Sequence, residues 1–175
     1  MVYTKNFNLL ISTSRFNERN ATTELWFTLL ICGDNYPIIS KLTFPGLITA
    51  LTNIDAKRAI LKIRQILKNN PHFFQFILKI IPIDFVCETN TKILVNLIQE
   101  HSKAFIKEGD SFKIVLKRRK HEKIERNNVI ERIANLLNNK VDLENPDKVI
   151  RLEVLGNFCG VSFLERNDII RIGNL

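Results

Sequence analysis

Apolar and polar positions along the first 86 residues change period several times. "FNLLIS" from Phe7 has the pattern of a strand, and "ATTELWFTLLICG" then shifts to a helical period in which Leu25, Trp26, Leu29 and Leu30 cluster. Asn20 or Thr22 is the expected cap of that helix and Gly33 its stop. "PIISKLTF" and "LITALT" read as hairpin partners across Pro45-Gly46, an order suited to a type II turn. Asp55 or Asn53 should cap a second helix with Ala56, Ala59, Ile60, Ile63, Ile66 and Leu67 as its core stripe. "FFQFILKIIPI" supplies a last strand, with Pro82 suggesting an edge or a bulge. The order β-α-β-β-α-β predicts a ferredoxin-like domain over 1–88, with "CETN" marking its boundary.

A second α/β unit is predicted over 89–175. A helix from Asn90 carries Leu94, Leu97, Ile98, His101 and Phe105 on one side and turns at Gly109-Asp110. "SFKIVLKRRKHEK" then alternates, with Phe112, Ile114 and Leu116 on one face, before ending in charge. Ile130, Ile133, Ala134 and Leu137 mark another helix. "VIRLEVL" follows with Ile150, Leu152 and Val154 inward, and "CGVSFL" closes the pattern, Val161 to Leu164 being a candidate edge. The fold class is therefore α+β.

Charge changes the picture more than composition does. The 175 residues carry a formal net charge of +8, which favours an anionic partner. Ten Lys and Arg stand against six Asp and Glu up to residue 88, and sixteen against twelve after it, so each half carries +4. Locally the charge is concentrated. Seven basic residues between 113 and 126 face only Glu122 and Glu125, while Lys57, Arg58, Lys62, Arg64 and Lys68 form a helical cluster without an acid. Like charges four residues apart cost a few tenths of a kcal/mol each, and phosphates reverse that sign. Several Lys or Arg contacts to phosphate supply a nonspecific affinity near ~10⁻⁴ to 10⁻⁶ M.

Other chemistry lacks its usual signatures. Cys32, Cys87 and Cys159 are far apart and odd in number, and His72, His101 and His121 are scattered, which argues against a disulfide scaffold or a zinc site. No Gly-x-Gly-x-x-Gly or Gly-Lys-Ser/Thr sequence offers a phosphate loop. Asn145-Pro146 lacks the following proline and aromatic ring that a base methyltransferase loop would use, and reads as a turn. No apolar run approaches the ~20 residues of a membrane span, and "MVYTKNFNLLISTS" has no signal-peptide pattern, so a cytoplasmic setting is expected.

From "GDSFKIVLKRRKHEKIERNNVIERIANLL" through "KVDLENPDKVIRLEVLGNFCGVSFL" the chain resembles a THUMP domain, a module of RNA-modifying enzymes that binds transfer RNA. "KIIPIDFVCET" at 79–89 further resembles one branch, the adaptor required for acetylating a cytidine in transfer RNA, although Lys79 stands where that branch more often has arginine. The resemblance implies a non-catalytic adaptor that presents transfer RNA to a separate acetyltransferase forming N4-acetylcytidine. Acetyl-coenzyme A and ATP would then belong to the partner, and no cofactor is expected of this chain. Lys117, Arg118, Arg119, Lys120, Lys123 and Arg126 are the expected RNA ligands, with Lys57, Arg58, Lys62 and Arg64 extending them. A stand-alone RNA-modifying enzyme and a protein-interaction module with a basic surface are the competing readings. Oligomeric state is open.

Overall fold

The computed structural model describes residues 6–119 and 124–173. Lys120 and Lys123 lie outside the described residues. Two separate apolar clusters divide the rest into two compact units, one made of 6–83 with 167–173 and the other of 84–166. The boundary expected at 88 therefore falls at 83/84, and the last residues join the first unit. The physical reason is Ile170, which is fully buried in the first core.

In the first unit, β1 (Leu9–Thr13), β2 (Ile38–Lys41), β3 (Leu47–Leu51), β4 (Ile77–Pro82) and β9 (Ile170–Arg171) form a five-stranded antiparallel sheet in the order β2-β3-β1-β4-β9. Helices α1 (Glu18–Ile31) and α2 (Ala56–Asn69) pack Leu25, Leu29, Ile60 and Ile63 into one cluster with Leu9, Ile11, Ile48 and Ile80 of the sheet. Alternation in β1 and β3 sends these sheet residues to the helix-covered face. Asp55 caps α2 by accepting from the Arg58 amide at 2.9 Å. Gly33 ends α1 at φ 98°, with the Gly33 and Asp34 amides returning to Leu30 and Leu29 carbonyls.

Three expectations for this unit are corrected. Helix α1 starts earlier than Asn20, with Asn17 at its N-cap, and Asn20 and Thr22 lie inside it. The Glu18 carboxylate ties that first turn to the β2–β3 turn by accepting from the Gly46 amide at 2.6 Å. Trp26 is 48% exposed rather than in the core, because α1 is apolar around most of its circumference and buries only the stripe through Ala21, Leu25, Thr28 and Leu29. Strand β4 is not an edge: β9 pairs with it at Lys79 and Ile80, short of Pro82, whose missing donor sits at the strand end.

The second unit holds β5 (Phe85–Glu88), α3 (Thr91–Phe105), β6 (Phe112–Arg119), α4 (Arg126–Ala134), β7 (Lys148–Leu155) and β8 (Phe158–Leu164). Its sheet runs β5-β8-β7-β6, with β6 and β7 parallel and the other pairs antiparallel. Asn90 caps α3 through the Lys92 and Ile93 amides. Leu94 and Ile98 of α3 and Val129 and Ile133 of α4 join Phe112, Leu116, Ile150, Leu152, Val154, Val161 and Phe163 in one core. His101 packs, as its stripe implies, stacking on Phe85 at 4.3 Å between centroids. Segment Val161 to Leu164 is buried, and β8 as a whole lies inside the sheet, paired with β7 along its length and with β5 as far as Val161. The edge position instead belongs to β5, three half-covered residues and the exposed Glu88, a pattern too short to announce a strand.

Candidate nucleic-acid interface

Strand β6 is an edge of its sheet, and its last three residues, Lys117, Arg118 and Arg119, are all exposed. They do not share one face of the sheet. Phe112 and Leu116 fill the helix-covered core, so period-two alternation puts Arg118 on the helix side and Lys117 and Arg119 on the other. Register agrees, with Lys117 and Arg119 beside Glu153 and Leu155 of β7 and Arg118 beside the core residue Val154. Arg118 donates from Nη1 to the Ile124 carbonyl at 2.7 Å, just before α4 begins.

That bond brings a guanidinium to the first turn of α4. Arg126 is exposed there, the turn contains no acidic residue, and Glu125 at the N-cap makes no side-chain cap bond. The positive end of the helix dipole thus adds to two cations. At the opposite end of β6 and β7, Asp147 accepts from the Ser111 amide at 2.8 Å and hydroxyl at 2.7 Å, which holds its carboxyl below the usual carboxylate range. Asp142 is held low in the same direction by the Asn145 and Glu144 amides, closing the turn that contains Asn145-Pro146.

Periodicity also hid a buried ion pair. Arg151 and Glu153 alternate with the core residues of β7, yet their side chains are only 7% and 5% exposed. Arg151 Nη2 and Nε lie 2.6 and 2.7 Å from Glu153 Oε1. Arg151 therefore contributes no charge to an anion, although composition counts it.

The helical cluster of the first unit has intramolecular partners. Lys57 pairs with Asp168 at 3.3 Å, and Arg64 donates to the Asn167 and Ile169 carbonyls at 3.0 and 2.8 Å, holding the segment that carries β9. Lys62 Nζ donates to the Cys32 carbonyl at 2.5 Å, at the C-terminal end of α1. Arg58 and Lys68 are exposed. The outward face predicted from periodicity is real, but three of its cations stabilise the fold. The partners lie far away in sequence, in residues 167–169 for Lys57 and Arg64 and at Cys32 for Lys62.

Among the described residues no group of three His, Cys, Asp or Glu side chains could hold a metal ion, and no helix is long and apolar enough to cross a membrane. Cys32, Cys87 and Cys159 are free thiols. Burial pushes Cys87 up to about 11, with Glu88 adding to the effect, and pushes Cys159 up as well.

Together these features define a mixed α+β protein with a cationic strand end on its second unit. A family profile for the THUMP domain matches residues 88–164, and this part of the chain is a THUMP domain. Proteins carrying this domain bind RNA and work in transfer-RNA modification. A Drosophila melanogaster protein described as a THUMP domain-containing protein 1 homolog is 34% identical over 97 residues, covering 52% of this chain and 30% of that protein. A Pyrococcus horikoshii crystal structure superposes over 91% of this chain and 55% of its own, with TM-score 0.62 and 18% identity. A 4-thiouridine synthetase crystallised with RNA and ATP matches 91% of this chain and 42% of its own, with TM-score 0.55 and 16% identity. The chain thus spans less than a third of the fly relative's length, and the two structural likenesses concern the fold.

Proposed function

We propose that this chain is a non-catalytic transfer-RNA-binding adaptor that presents the RNA to a separate enzyme, an RNA cytidine acetyltransferase forming N4-acetylcytidine. The observation that carries the RNA-binding part is the THUMP domain over 88–164, with Lys117 and Arg119 exposed on one face of its edge strand and Arg126 beside Arg118 at the start of α4. Such cations suit backbone phosphates and shape rather than base edges. Lys120 and Lys123 belong to the same proposed site by sequence. Arg58 is the remaining exposed candidate of the first unit's four, while Lys57, Lys62 and Arg64 reach phosphate only in competition with their internal partners.

The adaptor and acetylation parts rest on the resemblance of "KIIPIDFVCET" to that branch. We also read the first unit as ferredoxin-like, a reading supported by its antiparallel order β2-β3-β1-β4 and by both helices sharing one cluster. A cytoplasmic setting is part of the proposal, and three free cysteines agree with a reducing compartment.

The test measures transfer-RNA binding against salt, comparing intact transfer RNA with a duplex of equal length. Preference for intact transfer RNA with a steep salt slope supports shape recognition; equal or absent binding refutes it. Incubating the chain alone with transfer RNA and acetyl-coenzyme A tests the adaptor part, since catalytic turnover by this chain would overturn it.

A further inference from the structure

Phe16 is 95% exposed and has φ 71°, and among the described residues it is the one non-glycine with positive φ. A side chain with a Cβ is strained in that region, and the residues that ordinarily occupy it in turns are Gly and Asn. Asn17 stands next door, yet the left-handed position holds a phenyl ring. Neither core burial nor turn chemistry accounts for this choice.

The loop is rigidly held. The Asn17 amide donates to the Ser14 carbonyl at 3.1 Å, and the Thr13 amide to the Gly46 carbonyl at 3.0 Å. Gly46, at φ 77°, approaches so closely that a Cβ there would lie 2.8 Å from the Thr13 carbonyl oxygen. Its amide donates to Glu18 Oε1, and the Phe16 amide also bonds that carboxylate. The ring is thus displayed on a braced loop.

Its surroundings are cationic. Arg15 and Arg19 are exposed on either side of Phe16 in sequence, and Lys41 at the end of β2 is close enough to act electrostatically on the Glu18 carboxylate. Glu18, the acid of this loop, is already engaged by backbone amides. An exposed ring flanked by guanidinium groups is the composition of a single-strand nucleic-acid contact, in which a base stacks and neighbouring phosphates meet the cations.

We propose that Phe16, with Arg15, Arg19 and Lys41, is a stacking platform for one base of a single-stranded RNA segment. This site lies in the first unit, whereas the cationic strand end belongs to the THUMP domain. It rests on the reading of the chain as an RNA-binding protein.

The experiment uses the full chain and a fluorescein-labelled single-stranded RNA 12-mer, with a duplex of the same sequence alongside. Phe16→Ala and Phe16→Leu each weaken single-strand binding about 5- to 160-fold, the range of one lost base stack, and leave duplex binding unchanged. Phe16→Trp keeps the affinity, and the introduced indole is quenched on adding RNA. The melting temperature of Phe16→Ala stays at that of the parent, because no core contact is lost and alanine keeps the same strained Cβ. Unchanged single-strand affinity in Phe16→Ala overturns the site. Full affinity in Phe16→Leu also overturns it, since an apolar contact without stacking would then suffice, as at a protein interface. The double variant Lys117→Glu/Arg119→Glu separates the two readings. If it loses binding while Phe16→Ala does not, the RNA-binding reading stands and the platform falls; if the unmodified chain binds neither probe, both fall.

Discussion

Replacing Lys117 and Arg119 together by Ala, and Arg118 alone by Ala, should give opposite phenotypes from three consecutive cations. Lys117 and Arg119 share one face of β6 and are exposed, whereas Arg118 spends a hydrogen bond on the Ile124 carbonyl at 2.7 Å. Each phosphate contact contributes about 0.7 to 0.9 to the slope of log affinity against log salt. Losing two lowers the slope by about 1.4 to 1.8, and extrapolation from 1 M to 0.1 M salt converts this to an affinity loss of about 25- to 60-fold. Arg118→Ala should instead cost about 1 to 2 kcal/mol of stability, because a charged donor is removed from a part-buried carbonyl. For a chain of this size that is a fall of roughly 2 to 8 °C in melting temperature, with most of the salt slope retained. Fluorescence anisotropy with labelled transfer RNA at five salt concentrations, together with thermal melts, reads both quantities. Equal slopes in all three proteins would refute the assignment of Lys117 and Arg119 to phosphate. A slope lost only in Arg118→Ala would refute the face argument.

Glu153→Leu should destabilise the chain by about 3 to 5 kcal/mol, since it strands the Arg151 guanidinium in a buried site, while Arg151→Met with Glu153→Leu should cost much less than the sum of the two singles; chemical denaturation of the four-protein cycle measures the difference. Arg64→Ala should release the segment carrying β9 at a cost of about 1.5 to 3 kcal/mol, and hydrogen exchange should speed up at Ile170 and Ile172 with no change in the salt slope of RNA binding. Asp142 and Asp147 have folded-state values below the ordinary carboxylate range, so their stabilisation is present at neutral pH and is lost as pH falls from the unfolded value near ~4 through the folded one. Melts between pH 7 and 3 should show that loss, and Ser111→Ala should shrink it by removing the hydroxyl bond to Asp147.

Local chemistry accounts for what could be read ahead of the structure. Asp55, Asn90, Gly33 and Gly46 act within a few residues of themselves, so capping and turn rules reached them directly. The alternation in β6 and β7 placed Phe112, Leu116, Ile150, Leu152 and Val154 in the core. Strand β5 and the two-residue β9 escaped because such short segments carry no period, and their pairing partners are distant in sequence. Phe16 escaped because its φ comes from a loop braced by Gly46 and Glu18.

The sequence by itself determined the α+β class, the order of the long elements, the cationic strand end and the THUMP resemblance, because each is written in neighbouring residues. Tertiary structure decided how those cations are spent. Strand pleating separated Lys117 and Arg119 from Arg118, the returning C-terminal segment took Lys57 and Arg64, and side-by-side burial in β7 neutralised Arg151 against Glu153. A charge count is additive along the chain, but the availability of a charge depends on what folding brings within hydrogen-bond reach.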